Sequence, residues 1–235
     1  MRPTDPLRAD PLRHIEHWVF DLDNTLYPAD SNVFAQIDQR MGEYIRSHYD
    51  LPEDEDRALQ KRLFRQYGTT LNGLMRERAV EPGPFLEYVH DIDISAIGPS
   101  PTLAAALGDL PGRKVVFTNG SVRHAERVLA RLGVASQFDG IFDIVAAGYV
   151  PKPDPGPYRA MLDRYGLTPG STVMVEDMAR NLLPAHQLGM TTVWVRTPSD
   201  WGQPLPGDGH IDFAVDDTAE WLAAVAAARR SPPFG

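Results

Sequence analysis

Cysteine is absent from all 235 residues, which excludes disulfides, thiol nucleophiles, thiolate zinc sites and iron–sulfur clusters. Lysine is nearly absent: three stand against twenty arginines, at Lys61, Lys114 and Lys152. No apolar run approaches the roughly 18 residues of a membrane span. The first fifteen residues alternate Arg, Asp and Pro, with no apolar stretch of the kind a signal peptide carries. A basic excess is missing too. The formal charge is −9, opposite to the basic face that a nucleic-acid polymer requires. The acidity is uneven, −7 over residues 1–100 and −2 over the remainder. What is present is a globular composition, 43% hydrophobic and 23% charged, sufficient for a sizeable core. The expectation is an acidic, soluble, cytoplasmic protein without membrane or nucleic-acid partners, built as one domain with an insert or as two small domains.

The run His17-Trp-Val-Phe-Asp-Leu-Asp23 is too short for a helix and reads as a strand buried on both faces, as in parallel sheets. Lys114–Thr118, Phe142–Ala146, Thr172–Glu176, Thr191–Val195 and Asp212–Val215 repeat the pattern. Between them lie helical stretches. Val122–Leu132 stops at Gly133, Pro157–Tyr165 at Gly166, and Met178–Leu188 at Gly189. This alternation predicts βαβ units and an α/β fold, a doubly wound parallel sheet of Rossmann-like type. Residues 29–99 break the rhythm. Ser31–Tyr49, Glu53–Tyr67, Thr70–Val80 and Pro84–His90 read as helices without an intervening strand. Tyr27-Pro28 and Gly98-Pro-Ser-Pro101 read as linkers. The expected division is therefore an α/β catalytic core over 1–28 and 100–235, with an inserted helical cap over 29–99. Glu53-Asp-Glu-Asp56 reads as a solvated helix start, Arg229–Gly235 as a frayed end, and His14 with His17 as part of an exposed N-terminal segment.

Polar residues gather where the expected strands end: Asp21 and Asp23, Thr118 and Asn119, Lys152, and Glu176 with Asp177. Open α/β sheets bind ligands outside the carboxyl ends of their strands, so residues far apart in sequence can share one pocket. Period-two geometry puts Asp21 and Asp23 on one side. Two close carboxylates need a cation or hold a proton, and one can attack while the other moves protons. A turn or a helix cap is the alternative reading. Glu176-Asp177 offers a further carboxylate to an oxygen-ligand Mg²⁺ site, with Asn181 one turn on to orient the ligands; Asp177 as an N-cap is the alternative. In Thr118-Asn-Gly120 the glycine admits close backbone approach, the following amides suit an anion, and the hydroxyl can donate to phosphate. The same tripeptide is also a common turn. Lys152 stands in a Pro151-Lys-Pro-Asp-Pro155 loop of a chain whose default cation is Arg. A compact ammonium suits phosphate, and a solvated Lys on a Pro-rich turn is the other reading. Carboxylates that want a metal, beside a hydroxyl and an ammonium that want an anion, together suggest phosphate chemistry.

These four sets, in this order, resemble the haloacid dehalogenase-like superfamily in its phosphatase branch. Asp21-Leu-Asp-Asn-Thr25 is similar to that family's DxDxT motif, Thr118 to its second motif, Lys152 to its third, and Glu176-Asp177 with Asn181 to its fourth. The resemblance runs over about residues 16–196. The superfamily's dehalogenases lack the second aspartate, which is present here as Asp23. More finely, Asp21–Pro28, Tyr67–Leu74, Val89–Asp93 and Phe117–Gly120 resemble the pyrimidine 5′-nucleotidase group, except that Asn72 stands where some members carry Arg. The resemblance implies a Mg²⁺-dependent phosphatase acting on a small-molecule phosphomonoester, nucleoside 5′-monophosphates foremost. It implies that Asp21 forms an aspartyl-phosphate and that Asp23 protonates the leaving oxygen and then activates water. Mg²⁺ would be held by Asp21, the Asp23 carbonyl and Asp177, with Glu176 as a further ligand or behind them. Thr118, the Asn119 amide and Lys152 would hold phosphate oxygens. Asn72 and His90 are the candidates for substrate contact from the cap. A sugar phosphomutase, a phosphoglycolate-type phosphatase and a phospho-accepting receiver module are the alternatives; the long helical insert and the late acidic pair oppose the last.

Overall fold

Residues 11–49 and 51–230 are described by the computed structural model. Its sheet is made of β1 (His17–Phe20), β2 (Lys114–Phe117), β3 (Gly140–Phe142), β4 (Thr172–Glu176), β5 (Thr191–Val195) and β6 (Phe213–Val215). The strand order is β3-β2-β1-β4-β5-β6, and every neighbouring pair is parallel. This is the doubly wound arrangement expected. Strand β1 lies between β2 and β4, with Val19 paired to Val115 on one side and Met174 on the other. The order of the sheet reverses at β1, so the carboxyl ends of β1, β2 and β4 open onto the crevice where such sheets take ligands.

Four helices follow β1 in succession: α1 (Val33–Tyr49), α2 (Glu53–Tyr67), α3 (Thr70–Arg78) and α4 (Pro82–Val89). The chain then passes through α5 (Pro101–Asp109) into β2, and α6 (Val122–Leu132), α7 (Pro155–Tyr165), α8 (Ala179–Gln187) and α9 (Thr218–Arg230) complete it. Side chains alternate across β1 as strand geometry requires. Trp18 and Phe20 enter a core shared with Leu103, Val128 and Trp221, while Val19 faces the other layer with Phe117, Tyr158 and Leu182. Trp18 meets the edge of Trp221 at 6.4 Å and donates its indole N–H to the Pro111 carbonyl at 3.1 Å. The first core continues into the helical segment through Ile45, Leu63, Leu74 and Phe85. Among the described residues no helix is long and apolar enough to cross a membrane.

Several expectations are corrected. The strand expected at Phe142–Ala146 ends at Phe142. The Asp143 carboxylate accepts from the amides of Val122 and Ala146, which turns the chain away from the sheet. Helices α5 and α9 were not anticipated. Ser100, taken for part of a linker, caps α5 by accepting from the Leu103 amide. Arg229, taken for a frayed end, belongs to α9 and donates to the carbonyls of Leu12 and Ile15 at 2.7 and 3.0 Å; residues 231–235 of that expectation lie outside the described residues. His17 is half-buried within β1 rather than exposed, whereas His14 is exposed as expected. Asp56 is not a solvated helix start: it is 1% exposed and lies 3.6 Å from Arg46. The side chains of Glu53 and Asp54 lie outside the described residues.

Helices α2 and α3 approach closely at Gly73, where an added Cβ would lie 2.7 Å from the Leu63 side chain. Overpacking of about 1–3 kcal/mol exceeds the roughly 0.8–1 kcal/mol that Ala gains over Gly within a helix. Gly73→Ala is therefore expected to lower stability in urea unfolding. Combined with Leu63→Ala, which removes the Cγ and Cδ2 contacts but keeps the Cβ at 2.7 Å, it should cost only somewhat less than the two single changes summed, since the clash is partly relieved.

Candidate active site

The end of β1 is fixed against β4 by the Asp21 amide, which donates to the Val175 carbonyl at 2.9 Å. That bond places Asp21 beside Glu176 and Asp177, where β4 ends. Lys152 arrives from the loop between β3 and α7 and is 1% exposed. Its ammonium donates to Asp21 Oδ1 at 2.6 Å, to Glu176 Oε2 at 2.6 Å and to the Phe117 carbonyl at 2.9 Å. An ammonium has three donors, and all are engaged within the protein. The residue expected to meet a phosphate thus lies among the carboxylates and holds Asp21.

Negative charge exceeds positive charge at this point. Burial, followed by the Glu176 charge, pushes Asp21 up to about 7 despite the opposing pull of Lys152. Burial, then Glu176 and Asp21, raise Asp177 well above the carboxylate range. Burial acts against the charge of Lys152, but Asp21 and Glu176 outweigh it and hold the pKa above the ordinary lysine value. Oxygens of Asp21, Glu176 and Asp177 lie within 4.8 Å of one another, all buried. One turn on, Asn181 Oδ1 is buried without a hydrogen-bond partner. Hard oxygen donors, an unpaired carbonyl oxygen and a deficit of positive charge fit a divalent cation of the magnesium class. Asp177 does not cap α8; the N-cap is Met178, and no side chain caps it.

The turn after β2 carries donors that the described residues leave unused. Thr118 Oγ1 accepts from the Gly120 amide at 2.9 Å, and its hydroxyl hydrogen has no acceptor among the described residues. The Asn119 side chain is turned onto the Lys152 loop. Its Oδ1 accepts from the Lys152 amide at 2.9 Å, and its Nδ2 donates to the Lys152 carbonyl at 3.4 Å. The Asn119 backbone N–H bonds no described residue. An added Cβ at Gly120 would lie 3.2 Å from Thr118 Oγ1 and 3.5 Å from His90 Nε2, so this position faces the site closely.

Asp23 has partners that sequence reasoning missed. Its Oδ1 accepts from the Tyr27 hydroxyl at 2.5 Å and from His124 Nε2 at 2.8 Å. Burial opposes the charge of Asp23, but His124 and Tyr27 outweigh it and hold the carboxyl below its ordinary range. Burial, then the Asp23 charge, raise Tyr27 well above the usual phenol value, which keeps it a donor. His124 is stacked on His90 at 4.5 Å with the rings 8° from parallel. Burial, then His124, lower His90 to about 3. The available signal for His124 is its place in the first turn of α6, which opens directly from Thr118-Asn-Gly120. Tyr27 gave none beyond proximity to Asp23.

The two candidates for substrate contact are placed differently. His90 joins the Asp23 side of the site, its Nδ1 lying 3.0 Å from Ser121 Oγ. Asn72 lines a cleft of about 360 Å³ with Arg65, Tyr67, Arg76, Arg180 and the loop around Pro151. Its amide is tied locally, donating to the Tyr67 carbonyl and accepting from Arg76. Arg180 spans from α8 to the end of α2, donating to the Gly68 carbonyl at 2.9 Å while its guanidinium lies 4.2 Å from the Phe64 ring centre. A larger cavity, about 530 Å³ between α1 and α2, contains none of the predicted site residues.

Residues 15–189 match the haloacid dehalogenase-like hydrolases. The chain is 27% identical over 199 residues to Phosphate metabolism protein 8 of Saccharomyces cerevisiae, covering 77% of this chain and 61% of that protein. It is 30% identical over 147 residues to Phosphoglycolate phosphatase of Rhodospirillum rubrum, covering 59% and 58%. The matches thus span about three-fifths of the length of these two relatives. Among solved structures, a HAD phosphatase from Thermococcus onnurineus superposes with a TM-score of 0.61 at 20% identity, covering 92% of this chain and 100% of that one. L-2-haloacid dehalogenase from Xanthobacter autotrophicus, with chloropropionic acid covalently bound, gives 0.58 at 16%, covering 90% and 98%. At these identities the two structures share the fold.

Lys152→Met would strip the ammonium from Asp21 and Glu176 and leave buried charge unpaired. In urea unfolding with chelator present it should cost about 3–5 kcal/mol. A cost under about 1 kcal/mol, as for an exposed pair, would mean that these carboxyls are protonated rather than paired.

Proposed function

The chain belongs to the haloacid dehalogenase-like hydrolases, and on that premise we propose that it is a magnesium-dependent phosphatase that hydrolyses small phosphomonoesters, nucleoside 5′-monophosphates first among them, through an aspartyl-phosphate on Asp21. The observation that carries this reading is Asp23. A halide leaves carbon without a proton, whereas the alkoxide of a phosphomonoester needs one. A second carboxylate two residues beyond the nucleophile, 13% exposed and supported by two donors, suits the second task.

In the first step a carboxylate oxygen of Asp21 forms a bond to phosphorus, the bond from phosphorus to the ester oxygen breaks, and Asp23 gives that oxygen a proton. The dianionic ester raises the proton affinity of Asp23 as it enters, by like-charge repulsion. In the second step water attacks phosphorus, Asp23 takes its proton back from the water, and Asp21 leaves as the free carboxylate. Thr118 and the Asn119 amide donate to the phosphoryl oxygens, and Lys152 aligns Asp21 while balancing its charge. Asp21, Asp177 and the Asp23 carbonyl would hold magnesium, with Glu176 behind them, and the bound ion supplies positive charge to the phosphoryl group. The net charge of −9 repels an anionic substrate, so binding depends on these local donors.

Residues 29–99 serve in this reading as a cap over the core of 1–28 and 100–235. The cleft beside Pro151 supports a nucleotide, because Tyr67 offers a ring face and Arg65, Arg76 and Arg180 offer cations. The same arginines favour a second reading, a phosphorylated carboxylic acid whose carboxylate they would pair. The similarity to a phosphoglycolate phosphatase supports that alternative.

Asp21→Asn should lose nearly all turnover of p-nitrophenyl phosphate; retained turnover would overturn the mechanism. Chelation should abolish activity and magnesium restore it. Across pyrimidine and purine nucleoside monophosphates, phosphoglycolate and hexose phosphates, phosphate release should show the highest kcat/KM for a nucleotide. Phosphoglycolate leading that series would put the second reading in its place.

A further inference from the structure

Asp23 is held asymmetrically. Both of its donors, the Tyr27 hydroxyl at 2.5 Å and His124 Nε2 at 2.8 Å, meet the same oxygen, Oδ1. Among the described residues Oδ2 accepts no hydrogen bond. A role confined to fold stability would be served as well by one donor on each oxygen. We propose that Tyr27 and His124 are positioning residues that fix the Asp23 carboxyl through Oδ1, so that Oδ2 is the oxygen that exchanges a proton with the leaving group and with water. This inference rests on the phosphatase reading above.

The two donors come from different parts of the fold, Tyr27 from the connection after β1 and His124 from the first turn of α6. Both are buried, and His124 is wholly so. A carboxyl group turns freely about its last bond unless something engages it, and two donors converging on one oxygen remove that freedom. A carboxylate only accepts, so Nε2 of His124 carries the hydrogen, and its Nδ1 is left buried without a partner. The ring is held flat against His90, which lies within hydrogen-bond distance of Ser121, the N-cap of α6. The N-cap of that helix, Ser121, directly follows Gly120. The turn that presents Thr118 and the helix that orients Asp23 are therefore one rigid unit, and the acid is set relative to the phosphate site rather than relative to bulk solvent.

Two esters of different leaving ability test this. The p-nitrophenolate group departs without a proton, whereas the alkoxide of ethyl phosphate needs one. The ratio kcat/KM covers the steps up to leaving-group departure, so slow hydrolysis of the aspartyl-phosphate does not mask the effect. Tyr27→Phe and His124→Phe should each lower kcat/KM for ethyl phosphate by about tenfold or more beyond any loss on p-nitrophenyl phosphate. His124→Gln, which returns an N–H near Nε2, should recover most of the difference, and Asp23→Asn should show the same bias more strongly. Equal losses on the two esters, or no loss on either, would overturn the proposal. Should His124→Phe fail to fold by circular dichroism, Tyr27→Phe decides alone, since it keeps the buried ring. Turnover surviving in Asp21→Asn would overturn the phosphatase reading and this inference with it. An inactive Asp21→Asn with an unbiased Tyr27→Phe overturns the inference only.

Discussion

The ammonium of Lys152 is the point on which the ends of three strands converge. It joins Asp21 after β1, Glu176 at the end of β4 and the Phe117 carbonyl at the end of β2. Its partners lie 131, 24 and 35 residues away in sequence, in that order. Burying these charges is costly unless each finds a partner with good geometry, and the sheet order supplies that geometry by placing β1 between β2 and β4. The Asn119 side chain grips the Lys152 peptide by both its amide and its carbonyl. The turn after β2 and the ammonium loop are thereby a single unit.

Around that unit the two aspartates of the first motif experience opposite environments. Asp21 faces other carboxylates and too little positive charge, and burial with Glu176 drives it up to about 7. Asp23, two residues on, faces a phenol and an imidazole and is held below the ordinary range. Pairs of carboxyls pushed apart in this way are how one fold assigns different tasks to chemically identical groups. The charge deficit that lifts Asp21 is the same feature that suits the cluster to a divalent cation.

Much of this was legible in the sequence because a strand buried on both faces is a short apolar run with a sharp polar end. Such runs place five of the six strands among the described residues close to their observed bounds, and they put Asp21, Thr118, Glu176 and Asp177 at neighbouring strand ends. What stayed hidden depends on contacts between distant segments. Lys152 stands on a proline-rich turn, and nothing local reveals its three buried acceptors. His124 lies off the apolar stripe of α6, yet it is wholly buried, since its neighbours are Asp23 and His90 rather than the core. Tyr27 stands next to a proline and read as a linker, while its hydroxyl serves Asp23. Helix α9 is alanine-rich, and its weak periodicity gave no signal until the side chains of Trp18 and Trp221 met.

The span of Arg180 from α8 to α2 bears on how firmly the helical segment is tied to the sheet. Its guanidinium lies over Phe64 and donates to the Gly68 carbonyl, while the other side of the same helix end is pinned by Trp201, which meets Phe64 edge-on at 5.3 Å. One cation–π contact and one hydrogen bond are together worth on the order of 1–3 kcal/mol. These contacts thus favour the joined arrangement of α2 and α8 over the parted one by roughly five- to 150-fold. Arg180 is thus a tie between the helical segment and the sheet that ordinary thermal motion can open and remake.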